Sequence, residues 1–170
     1  MRGTSGADET YESCARVIRL ATEAGVTVGT AESCTGGLVC TMLTDVAGSS
    51  AAVRGGVVSY AVQVKEDVLG VPTAITQDPS IGVVSEECAR AMCEGARSVL
   101  RCDIAVSTTG IAGPTGEEPG KPVGTVWFGV ATAHGTRALC EHFTGDRTAV
   151  RHKAALTAIR LLGEALGERA

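Results

Sequence analysis

Ser33 is the first residue of this chain whose setting could support covalent chemistry. It lies in "TAESCTGG", residues 30–37, where an apolar run gives way to two glycines. A strand-to-helix junction of this kind exposes a hydroxyl and frees the first helical N–H groups for an oxyanion or a phosphate. Gly36 and Gly37 make room for a group to approach that backbone. The plain alternative is that Ser33 caps the following helix. Cys34, beside it, is a second candidate nucleophile.

A serine hydroxyl needs a base. The three histidines, His134, His142 and His152, form no evident Ser-His-Asp pattern. The other source of a base is "SYAVQVK", residues 59–65, which holds one of two tyrosines and one of three lysines. Two adjacent strand ends would bring Ser33, Tyr60 and Lys65 to one edge of a sheet, as a Ser–Lys or Ser–Tyr–Lys group. A lysine serves as a base only if desolvation or a cationic neighbour lowers its pKa. Glu66 and Asp67 would oppose that if close, but adjacent helical residues point apart. The plain reading of Lys65 is a solvated helix residue.

Other chemistries fit less well. "GEEPGKP" resembles a P-loop only superficially: its glycines are too close, and Pro122 follows Lys121 where a hydroxyl residue is needed. "GIAGPTG" is not a dinucleotide fingerprint. The histidines lack metal-ligand spacing, and Glu141 and His142 on a strand would face opposite ways. A metal site is therefore not expected. The seven cysteines are odd in number, irregularly spaced and without a C-x-x-C pair, so they read as small buried hydrophobes.

The elements that must position these residues follow from periodicity. Cys14, Val17, Ile18, Leu20 and Ala21 recur at helical spacing between about Glu9 and Ala24, and Gly25 stops the run. "VTVGTAES" predicts a buried strand, residues 35–46 a helix, "GGVVSY" a strand and "AVQVKEDVLGV" a short helix stopped at Gly70. Residues 71–82 read as a loop. A strong helix follows, with Ser85 as its cap and Glu86 and Glu87 suiting its positive end. "DIAVSTTG", "TVWFGVAT" and "TRALCEHFT" read as strands, the last two joined by a tight hairpin near His134-Gly135. "GDRTAVRHKAALTAIRLLGEAL", residues 145–166, reads as a long closing helix. The order α β α β α α β β β α implies an α/β fold with a mixed sheet and helices on both faces. Residues 1–8 are expected to be a disordered tail, and residues 9–170 a single domain.

Composition bounds the partners. A net charge of −4 with no basic stripe argues against nucleic acid. No apolar run could span a bilayer, and the first residues lack a signal core, so a cytoplasmic protein is expected.

The sequence resembles the CinA C-terminal domain family, which includes stand-alone nicotinamide-nucleotide amidohydrolases. The resemblance rests on "TAESCTGG", "GGVVSYAVQVKEDVLGV", "GVVSEECARAMCEGA", "TTGIAGPTG", "KPVGTVWFGVA" and "FTGDRTAVR". It implies a three-layer α/β/α sandwich, with a mixed sheet expected here to be mainly parallel, and a dimer or higher homo-oligomer. It also implies hydrolysis of the carboxamide of nicotinamide mononucleotide to nicotinate mononucleotide and ammonia, without cofactor or metal. The implied catalytic group falls on Ser33, Tyr60 and Lys65. Thr35, Gly36, Thr109, Gly110, Gly113 and Arg147 are the candidate substrate-binding residues, with N–H groups near Cys34–Gly36 or Thr109–Gly110 as oxyanion donors. Val62 departs from the family, which usually carries Asn there. An amidase with another substrate, and a non-catalytic nucleotide-binding or interaction module, stand as alternative readings.

Overall fold

Two strands that are buried on both faces sit at the centre of the molecule. The computed structural model describes residues 6–167. Strands β1 (Val28–Glu32) and β3 (Ile104–Gly110) are buried almost throughout. β2 (Val53–Val58) alternates between half-buried and exposed, as an edge strand should. With β4 (Thr125–Thr132) and β5 (Gly135–His142), the sheet order is β2-β1-β3-β4-β5.

Helices cover both faces. α1 (Gly6–Ala24), α2 (Leu38–Thr44) and α6 (Arg147–Gly167) pack on one side, with Val17, Leu43, Ile159 and Leu162 against Val28, Ile104 and Phe128. α3 (Val62–Leu69) and α5 (Glu86–Leu100) pack on the other, where Leu69, Met92 and Cys93 meet Ala31, Ala105 and Ala131. Burying aliphatic side chains of this size contributes about 1.5–3 kcal/mol each. Gly95 sets how closely these two helices approach, because a Cβ there would overlap the Leu69 carbonyl.

The element order matches the sequence reading, and several particulars differ, among them β2, which runs over Val53–Val58 rather than 55–60. The sheet is mixed but not mainly parallel. β1 pairs in parallel with β2 and β3 over five residue pairs each, whereas the antiparallel β3–β4 and β4–β5 ladders run over six and eight. The cause is residues 111–124, which contain no crossover helix and return the chain directly alongside β3. The predicted helix over 35–46 begins only at Leu38, because Gly37 takes φ +97°. The stretch 71–82 holds a one-turn helix, α4 (Thr73–Thr76). Finally, α1 opens at Gly6, so residues 6–8 of the expected tail are helical, and residues 1–5 lie outside the described residues. Ser85 caps α5 as expected, its Oγ accepting from the Cys88 N–H at 3.1 Å. The β4–β5 turn is centred one residue earlier than predicted, on Ala133-His134, with Thr132 paired to Gly135. No helix among the described residues is long and apolar enough to cross a membrane.

The connections determine where a site can form. The chain leaves β1 toward α2 on one face and leaves β2 toward α3 on the other. Such a divergence opens a crevice at the carboxyl ends of the two strands.

Candidate active site

Ser33 and Lys65 meet at that crevice. Strand periodicity separates Ser33 from its neighbour: Val28, Thr30 and Glu32 face α2, and the next residue turns toward α3. The Ser33 N–H donates to the Thr108 carbonyl at 2.9 Å, which fixes the backbone just beyond β1. Lys65, on the first turns of α3, is 1% exposed. Its Nζ lies 3.0 Å from Ser33 Oγ, 2.6 Å from the Ser59 carbonyl and 3.4 Å from the Tyr60 carbonyl.

These partners suit a base. A neutral amine has two hydrogens and one lone pair. The carbonyls of Ser59 and Tyr60 can only accept, so they take the hydrogens, and the lone pair is left for the Ser33 O–H. Burial lowers the Lys65 pKa below its ordinary value, while the nearby Cys88 and Cys34 thiols pull it back up. The neighbouring carboxylates do not interfere: Glu66 accepts from the Thr76 hydroxyl, and Asp67 accepts from Gln63 at 2.9 Å. Cys34 is a poor rival nucleophile. It is buried, and desolvation pushes its thiol up to about 11, so it is protonated at neutral pH.

Ser33 does not cap α2. That role belongs to Glu32, a residue the sequence reading did not single out. The Glu32 carboxylate is 1% exposed and collects the Gly37, Val39 and Cys40 N–H groups at 2.8–3.0 Å. The hydroxyls of Thr35 and Thr30 also donate to it, at 2.7 and 3.1 Å. The α2 N–H groups expected to be free for an anion are thus already engaged. The N–H groups of Cys34 and Thr35, in the turn before the helix, donate to no carbonyl among the described residues.

The other candidate residues divide. Tyr60 is 63% exposed, and its phenol oxygen lies 3.3 Å from Arg147 Nη2. Arg147 also donates to the Gly113 carbonyl at 3.0 Å, so Tyr60, Gly113 and Arg147 form one cluster at the mouth of the crevice. Gly36 is exposed in the Ser33 turn with φ +63°. Thr35 is buried and shares its hydroxyl with Glu32 and Thr108, at 2.7 Å each. Thr109 turns inward to the Val83 carbonyl at 2.6 Å, and Gly110 backs closely onto Thr125 and Val126. Thr109 and Gly110 therefore support the scaffold rather than face Ser33. Val62 opens α3 and is 42% exposed. Arg151, also absent from the sequence reading, donates to the carbonyls of Cys34 and Thr35. Its spacing of four from Arg147, which places both on one face of α6, was the available signal. A cavity of about 720 Å³ between α1 and α6 holds none of these residues.

Comparison with known proteins places this chain in a family. The CinA C-terminal domain matches residues 11–166. A CinA-like protein from Geobacter sulfurreducens is 49% identical over 143 residues, covering 84% of this chain and 34% of the relative. Another from Anaeromyxobacter dehalogenans is 51% identical over 150 residues, covering 88% and 36%. The chain thus spans about one third of the length of these relatives. Among solved structures, a competence-damaged protein (CinA) superfamily member from Klebsiella pneumoniae superposes with a TM-score of 0.88 at 37% identity, covering 94% of this chain and 98% of that one. A competence/damage-inducible protein from Agrobacterium tumefaciens gives 0.87 at 39% identity, with 98% and 99% covered. The chain belongs to the CinA C-terminal domain family.

Proposed function

We propose that this protein hydrolyses the carboxamide of nicotinamide mononucleotide, releasing ammonia and nicotinate mononucleotide. One observation carries the reading: a desolvated lysine whose only partner able to donate a hydrogen bond, among the described residues, is an adjacent serine hydroxyl, Ser33 Oγ at 3.0 Å. That pairing supports nucleophilic amide hydrolysis. The identity of the amide is taken from the family resemblance and from the cationic mouth at Arg147, whose guanidinium suits a phosphate.

In this mechanism Lys65 Nζ accepts the Ser33 proton as Oγ bonds to the carboxamide carbon. The Cys34 and Thr35 N–H groups are the oxyanion donors; each such donor is typically worth about 3–4 kcal/mol of transition-state stabilisation. Collapse of the tetrahedral adduct breaks the C–N bond, and the Lys65 ammonium returns the proton to the departing nitrogen, giving ammonia. Water then attacks the nicotinoyl ester, Lys65 takes its proton, and that proton returns to Ser33 as the acid leaves. Tyr60 contributes its carbonyl to Lys65, and with Arg147 its phenol borders the substrate's entry.

The test is ammonia release from nicotinamide mononucleotide by wild type and Ser33→Ala. Wild type is expected to turn over and Ser33→Ala to fall to background. A folded wild type that releases no ammonia removes the substrate. A fully active Ser33→Ala removes the nucleophile. Binding without turnover would indicate a non-catalytic module, and a panel of other amides would reveal a different substrate.

A further inference from the structure

We propose that Arg151 is a positioning residue for hydrolysis, holding the Thr35 N–H, one of the two donors to the developing oxyanion, in place. This rests on the reading of Ser33 as the nucleophile. Arg151 lies on α6, remote in sequence from the turn it holds. Its Nε donates to the Cys34 carbonyl at 3.1 Å and its Nη2 to the Thr35 carbonyl at 2.9 Å. A trans peptide is planar, with its C=O and the following N–H pointing in opposite directions. Anchoring the Cys34 carbonyl to α6 therefore turns the Thr35 N–H away from α6. Anchoring the Thr35 carbonyl likewise turns the Gly36 N–H away, and that group donates to the Ser33 carbonyl at 3.1 Å.

The result is a closed turn from Ser33 to Gly36. Its last N–H is engaged, and its two middle N–H groups, on Cys34 and Thr35, donate to no carbonyl among the described residues. The turn is held from the α6 side by Arg151 and from the sheet side by Glu32, which takes the Thr35 hydroxyl at 2.7 Å. Gly36 lies beside the guanidinium with φ +63°, a conformation that favours glycine. A cation on a peptide carbonyl also polarises the N–H of the same peptide, strengthening it as a donor. The fork of Arg151 is spent on backbone carbonyls, whereas Arg147 sits at the mouth beside the Tyr60 phenol. Arg151 should therefore act on the transition state and leave ground-state binding alone.

The experiment compares wild type, Arg151→Lys and Arg151→Ala in steady-state ammonia release and in the rate of Ser33 phosphonylation by a fluorophosphonate probe. Arg151→Ala is expected to lose about 10²–10³-fold in kcat, in line with the loss of one oxyanion donor. KM should stay within about threefold, the pH inflection of the rate should not move, and phosphonylation should slow in parallel. Arg151→Lys, which retains a single cationic donor, should recover part of the loss. A rise in KM with kcat intact would make Arg151 a substrate contact and overturn the proposal, as would unchanged kinetics in both assays. Should Arg151→Ala fail to fold by thermal melting, Arg151→Lys decides: wild-type kcat and phosphonylation rate overturn the proposal, and a partial loss in both supports it. If wild type neither turns over nor reacts with the probe, the nucleophile reading falls, and this proposal with it. If wild type does both and the variants match it, only the role of Arg151 is lost.

Discussion

Glu32, at the end of β1, and Lys65, on the first turns of α3, are buried ionisable groups, and their surroundings are opposite in kind. Each is 1% exposed. Glu32 receives five hydrogen bonds, three from backbone N–H groups and two from hydroxyls, so both carboxylate oxygens are occupied. Lys65 faces two carbonyls and one hydroxyl, a set that leaves one position free to exchange a proton. A saturated buried charge holds structure in place. A buried charge with a single reactive partner is free to change its protonation state. The same desolvation acts on both, and the partners decide which becomes scaffold and which becomes reagent.

The contrast breaks first at Lys65. Lys65→Met should lower the ammonia-release rate by about 10²–10⁴-fold, the usual contribution of a positioned base, while a thermal melt still shows a cooperative fold. Glu32→Gln should do the reverse, because its NH₂ would face donors that now meet a carboxylate. We expect a stability loss of about 3 kcal/mol in urea unfolding, and an unchanged pH inflection in whatever activity survives.

Proton linkage adds a second test of Lys65. Lys65 titrates below the ordinary lysine value of 10.5 in the folded state. Between the lowered value and 10.5 the unfolded chain binds a proton that the folded chain does not, so stability rises with pH across that window. Below it the folded protein bears the full cost of a buried ammonium, which Lys65→Met avoids. The stability difference between variant and wild type should therefore shift in favour of wild type as pH climbs toward 10.5, as followed by urea midpoints. Activity should rise with pH through an inflection below the ordinary lysine range, because only the neutral amine accepts the Ser33 proton.

Smaller effects sharpen the picture. Gly95→Ala should cost about 1–3 kcal/mol by forcing α3 and α5 apart, and the shift of Lys65 should lower activity along with the melting temperature. Cys34→Ala should retain the Ser33-dependent activity, since its buried thiol is protonated at neutral pH; loss of activity with Ser33 still present would point to the thiol instead.

Much of this site was legible from sequence because its carriers are local. Ser33 stands where an apolar run meets glycines, and Lys65 follows a second apolar run at a fixed offset from Tyr60. Glu32 was not legible. An acidic residue before a serine reads as ordinary until β1 is known to be central and covered on the α2 side. Arg151 was missed for a related reason: its partners are carbonyls about 116 residues away in the chain, and no side-chain motif marks a carbonyl. Thr109 and Gly110 sit in a glycine-bearing segment that resembled a ligand loop. The antiparallel β3–β4 pairing turns them to packing instead.

By itself the sequence determined the order of helices and strands, the α/β class, the Ser85 cap and the presence of a serine and a lysine at two strand ends. All of these depend on spacing along the chain, on the 3.6- and 2-residue periods and on local capping chemistry. Only the tertiary structure decided the balance of parallel and antiparallel pairing, the burial of Lys65 against two carbonyls, the saturation of Glu32 and the grip of Arg151 on the Ser33 turn. Those depend on which distant backbone groups are brought within about 3 Å of a side chain once water is excluded, and hydrogen bonds of that reach are set by packing rather than by neighbours in sequence.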